Sequence, residues 1–178
     1  MLTPESQTIA ALLLLNLPTP QAAFITLSNI LNRPLPLSFH THDQAATAHV
    51  HALALTTLAT KLPTLYNHLC NSDTYFHDNP DPYFSPIFSS LFTQSIGLDL
   101  VTRLWDVWVF EGDAVLVRAA IALFASLESR LYGVNTKEEI LRILRNGVEG
   151  GDEEKWMRAV RDAGRHQRSE SDEKQNSP

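Results

Sequence analysis

Four histidines, His40, His42, His49 and His51, fall close together in the sequence with Asp43 among them. Imidazoles suit zinc, so the cluster is the first place to look for metal chemistry. The spacing argues against it. His49 and His51 stand near the start of an expected helix, and residues two apart do not share a helix face, whereas zinc-binding helices use pairs four apart. Surface-loop histidines are therefore the expectation, and no metal ligand is assigned. The single cysteine, Cys70, cannot form an internal disulfide, and no organised base can be inferred beside it, so a buried, inert thiol is expected. With seven glycines and none in a phosphate-cradling pattern, no nucleotide cofactor is expected, and no G-x-S-x-G nucleophile turn occurs.

The elements that would hold any site are read from composition and periodicity. A chain of 178 residues with 44% apolar and 19% charged residues can build one packed domain. The net charge of −6 excludes a basic nucleic-acid-binding face. Charge is uneven: from Met1 to Phe110 the only bases besides histidine are Arg33, Lys61 and Arg103. Ile9–Leu15 is too short to span a bilayer, which takes about 20 apolar residues, and it lacks the positive flank of a signal peptide. Arg118, Glu128 and Arg130 interrupt the longer run Ala114–Leu131. A cytoplasmic protein is the expectation.

Helical spacing dominates and no segment alternates as a strand. Helices are predicted over about Gln7–Leu17, Gln21–Leu31, Ala45–Leu62, Pro63–His68 and Pro86–Gln94. Arg33-Pro34-Leu35-Pro36 reads as an extended turn, and Ser72–Pro82 as a loop. Leu98–Phe110 is apolar around most of its circumference, with Asp99, Arg103 and Asp106 on one stripe, where Asp99 and Arg103 can pair. Gly112 is its expected stop, and Asp113 the N-cap of a central helix to about Tyr132. Thr136 and Glu139 form a capping box for a helix ending near Gly147. Asp152 starts a terminal helix whose apolar side, Trp156, Met157 and Val160, is expected to dock on the bundle. The division is 1–148, a helical region; 149–165, a terminal helix; and 166–178, a tail expected to be disordered.

Several of these pieces resemble a known family. Tyr83-x-x-x-Ile87-Phe88-x-x-Leu91-Phe92 is similar to the TBC-family segment in which a tyrosine precedes a Trp-Phe and a Leu-Phe pair, with Ile87 in place of the tryptophan. Leu98-x-Leu100-x-x-Arg103-Leu104-Trp105-Asp106, then Phe110-Glu111-Gly112 and Val115-Leu116-x-Arg118-x-Ala120, resembles the family's downstream block. Ile9–Asn16 and Leu31-Asn32-Arg33-Pro34 resemble the helices that follow its glutamine motif. The likeness runs from about Ile9 to Arg145 and implies an all-α, multi-helix bundle like the C-terminal lobe of a TBC domain.

What the resemblance implies is a Rab-type GTPase-activating protein of vesicle traffic, partnered by a Rab-family GTPase and reaching endomembranes through it. Such proteins insert an arginine from I-x-x-D-x-x-R and a glutamine from Y-x-Q-G. Neither motif occurs here: the register places the expected glutamine at Pro4, three residues from Gln7, and Ile96, Asp99 and Arg103 are one residue too long for the arginine motif and lie inside the downstream block. The expectation is thus an activator-family fragment rather than an enzyme, with no catalytic residue. Arg103, Trp105, Asp106, Glu111 and Gly112 are retained as family-motif positions, structural or GTPase-docking. The alternatives are a non-catalytic Rab-binding adaptor and an unrelated helical scaffold with a histidine-rich loop. A half domain should also carry exposed apolar surface where Ile9–Leu15 lacks a partner.

Overall fold

The computed structural model describes residues 4–71 and 74–164. The expected tail, 166–178, and Ser72 and Asp73 of the expected loop lie outside them. Among the described residues the chain forms ten helices: α1 (Pro4–Asn16), α2 (Pro20–Leu31), α3 (Pro34–His40), α4 (Gln44–Lys61), α5 (Pro63–Asn71), α6 (Asp81–Ser89), α7 (Leu98–Glu111), α8 (Ala114–Leu131), α9 (Lys137–Asn146) and α10 (Glu153–Gly164). The architecture is all-α, as the periodicity indicated.

α8 is the centre. Eleven of its eighteen residues are buried, including the whole run Ala119–Phe124, because α4, α7, α9 and α10 all pack around it. Uncharged all round over two turns, that run has no face to offer water. α10 docks through Trp156, Met157, Val160 and Ala163, so its apolar stripe is a core face. Side chains satisfy several helix starts: Thr19 accepts from the Ala22 amide, Asp43 from those of Ala45 and Ala46, and Asp152 from those of Glu154 and Lys155.

Proline accounts for two departures from the expected elements. The Arg33–Pro36 segment is not an extended turn: Pro34 and Pro36 occupy the first and third positions of α3. A first-turn residue has no intrahelical partner for its N–H, so two prolines there cost no bond. α6 begins at Asp81 rather than near Pro86, which sits inside it. The missing amide at Pro86 removes a bond to the Pro82 carbonyl, and the helix runs only three residues further.

After α6 the chain turns through Leu91 and Phe92, both fully buried and both left-handed, with φ of 48° and 70°. Such angles are uncommon for bulky residues and are held here by packing. Further on, the backbone at Ile96 pairs in parallel with Val148: the Gly97 amide donates to the Val148 carbonyl at 3.0 Å and the Val148 amide to the Ser95 carbonyl at 3.0 Å. Gly147 lies so close that a Cβ would fall 1.9 Å from the Ser95 oxygen. Only glycine fits.

Candidate functional site

The family-motif residues gather on α7 and the turn into α8, and they divide by what they touch. Trp105 is buried, and its indole N–H donates to the Leu91 carbonyl at 3.0 Å, clasping the left-handed turn. Gly112 ends α7 at φ 83°, a conformation that suits a residue without a side chain. These two shape the backbone.

Arg103, Asp106 and Glu111 face outward. The Arg103 guanidinium turns not to Asp99 but to Glu153 at the start of α10, 3.1 Å away, with both side chains about half exposed. Glu111 spans the Gly112 turn to Arg118 of α8. Among the described residues Asp106 makes no ion pair, leaving a free carboxylate on the exposed face of α7 next to Val109 and Phe110. Phe110 is 89% exposed.

The residue that organises this junction was expected to do something simpler. Asp113 stands at the N-cap position of α8, but its side chain does not cap that helix. One carboxylate oxygen accepts from the indole N–H of the buried Trp108 at 2.8 Å, and the other from the Leu35 amide at 3.0 Å. Asp113 therefore caps α3, whose own N-cap residue, Arg33, makes no side-chain cap. Arg33 approaches the same carboxylate at 3.8 Å and lies 4.6 Å above the Trp108 ring. A negative charge beside the first turn of α3 suits the helix dipole, and the cation over the indole adds to it.

The histidines do not converge. His42 and His49 are exposed, and His40 is partly buried at the end of α3. His51 is not a surface residue: it is 5% exposed, packed against Phe39 and Phe84. The Ser85 hydroxyl commits its one proton to Asp81 at 2.6 Å and lies 3.2 Å from His51 Nε2, so the imidazole donates to serine. Burial lowers the pKa of His51, opposed by the Asp81 charge, and burial also lowers that of His40. Among the described residues no three His, Cys, Asp or Glu side chains are placed to hold a metal ion.

The open cleft beside His40 and His42, about 530 Å³, is bordered by Glu5 and Asp81 but by no arginine or lysine, so it offers no side-chain counter-charge to a nucleotide's phosphates. Cys70 is a free thiol, and burial pushes its pKa up, away from nucleophilic character. No helix among the described residues is long and apolar enough to cross a membrane.

The Rab-GTPase-TBC domain family model matches residues 3–132, from the start of α1 through the whole of α8. The chain is 35% identical to human TBC1 domain family member 14 over 130 residues, which is 69% of this chain and 17% of that protein. It is 32% identical to TBC1 domain family member 12 of Xenopus tropicalis over 123 residues, 69% of this chain and 17% of that protein. A TBC domain-containing protein of Schizosaccharomyces pombe is 28% identical over 159 residues, 89% of this chain and 33% of that protein. The chain thus spans from about a sixth to a third of the length of these curated relatives.

This match corrects one expectation. Proteins of the matched family are GTPase-activating proteins, so the family points to GTPase-activating activity, and the expectation of an activator that is no enzyme does not stand. The physical reason is that a protein stabilising charge in the transition state takes part in catalysis even when the nucleotide sits on its partner. With 130 of 178 residues under one family model, and a relative 35% identical over 69% of its length, the chain belongs to the Rab-GTPase-TBC domain family.

Proposed function

We propose that this chain acts on a Rab-family GTPase in vesicle traffic, as the C-terminal portion of a GTPase-activating domain. The observation that carries the reading is the family match over residues 3–132, a range that takes in α1 to α8 and so the whole of α7. On this reading Trp105 and Gly112 set the course of the backbone. Arg103 and Glu111 fix the exposed face of α7 through their ion pairs with Glu153 and Arg118. Asp106 is then the group left to meet the GTPase. Location at endomembranes follows from the partner.

The arginine that offsets phosphoryl charge and the glutamine that orients water belong to motifs not found in these 178 residues. Activation on this reading draws them from polypeptide that carries both motifs and packs with this one. A GTP-hydrolysis assay over a Rab panel tests it, comparing the 178-residue chain with the same chain joined to a relative's segment bearing both motifs. The joined protein should accelerate one or more Rabs by about 10³–10⁵, the range of an arginine finger, and the shorter chain should bind the same Rabs more weakly when Asp106→Lys is introduced. Absence of both binding and acceleration across the panel would remove the reading.

A further inference from the structure

α6 and α9 pack together without closing the space between them. Pro82 and Pro86, four apart on α6, set two compact rings on one face, and Leu141, Leu144 and Arg145 share a face of α9. A pocket of about 90 Å³ remains there, walled also by Ile87, which like Leu144 is almost wholly buried. Ser95 lines it too. That residue is 6% exposed, yet among the described residues its hydroxyl makes no hydrogen bond, whereas buried polar groups are mostly paired. Its backbone is committed: the amide donates to the Phe92 carbonyl, and the carbonyl accepts from the Val148 amide. Tyr83 borders the pocket as well, but its hydroxyl donates to the Thr74 carbonyl at 2.6 Å. Gln94 and Arg145, both exposed, complete the polar lining. Among the described residues Arg145 makes no ion pair, and no acidic side chain borders the pocket.

We infer that this pocket binds a small aliphatic carboxylate. The apolar walls take a short hydrocarbon chain, while the Ser95 hydroxyl, the Gln94 amide and the Arg145 guanidinium supply donors for the two carboxylate oxygens. An ammonium group would meet the guanidinium and find no carboxylate to pair with. A phosphate would set its hydrated oxygens against apolar walls and lose water there without return. A cavity of roughly 150 Å³ holds benzene, so a chain of about three or four carbons suits this one. The same chemistry is offered by a free short-chain acid and by the C-terminal residue of a peptide. One wall, α9, lies beyond the residues that the family model matches, and the inference does not depend on whether the chain activates a GTPase.

Butyrate and acetyl-Gly-Val, titrated separately into the isotope-labelled 178-residue chain and followed by NMR, test the assignment. Saturable shifts should centre on the Ser95 amide, the Gln94 side-chain amide and the Ile87 and Leu144 methyls, with a dissociation constant on the order of millimolar for so small a ligand. Saturation by butyrate identifies the free acid as sufficient; saturation by acetyl-Gly-Val alone assigns the peptide C-terminus. The corresponding amides, alike in shape but uncharged, should bind at least about tenfold more weakly. Arg145→Gln should weaken binding about tenfold and Ser95→Ala about threefold, both with an unchanged far-UV circular dichroism spectrum, because Arg145 is exposed and alanine is smaller than serine. Arg142→Gln, at an exposed position of α9 outside the pocket, should leave binding unchanged. No shifts from either acid at about 50 mM, amides that bind as well as the acids, binding indifferent to Arg145→Gln, or an equal loss on Arg142→Gln would each overturn the proposal.

Discussion

α2 and α8 are both uncharged over long stretches, yet one is the outermost helix and the other the innermost. α8 buries eleven of eighteen residues among five neighbours; α2 buries two of twelve. Apolar composition alone therefore does not say how deeply a helix sits. What separates them is the supply of partners: α7 before it and α9 and α10 after it in the chain cover α8, whereas the outer side of α2 has none among the described residues. The difference teaches that the depth of a helix follows the neighbours the chain supplies to it.

Substitutions should widen that contrast. The largest effect is expected at the centre: Phe124→Ala, at a fully buried position of α8, should lower unfolding free energy in urea by about 3–5 kcal/mol, while Ile25→Ala on α2 should stay within about 0.5 kcal/mol. Equal losses at the two positions would break the contrast. Next comes Asp113→Ala, which leaves the buried Trp108 indole N–H and the Leu35 amide unpaired and should cost about 1–3 kcal/mol. A smaller effect belongs to pH. His51 is held neutral in the folded chain with a lowered pKa, so the unfolded chain binds more protons once pH falls below the ordinary imidazole value of about 6.5. Its contribution is complete above that value and is lost as pH falls toward the folded pKa. The melting temperature should fall on acidification from pH 7 to 5.5, and His51→Met should flatten that slope. The least effect is expected for Arg103→Ala: its ion pair with Glu153 is about half exposed on both sides, and the loss should not exceed about 1 kcal/mol.

Elements set by local chemistry were legible in the sequence. Gly112 does end α7, Thr136 does accept from the Glu139 amide at the start of α9, and Gly147 does end it. The two elements misread both turn on proline, whose effect depends on its position within the turn: harmless at the start of α3, tolerated within α6. The site was legible only in part. That Arg103, Trp105 and Asp106 share a helix follows from spacing, but their partners do not. Arg103 meets Glu153, and Asp113 reaches Leu35, 78 residues earlier in the chain. Nothing local in the sequence marks such a pair. The nearest sign was an aspartate five residues beyond a tryptophan at the end of an apolar helix.

The backbone pairing of Ile96 with Val148, tightened by the absence of a side chain at Gly147, makes α7, α8 and α9 an excursion that departs and returns at one doorway. An excursion whose two ends already touch can be lengthened while its threshold stays put. A fixed doorway means that changes in the excursion's outer loops alter its reach without moving the point where it leaves and rejoins the chain.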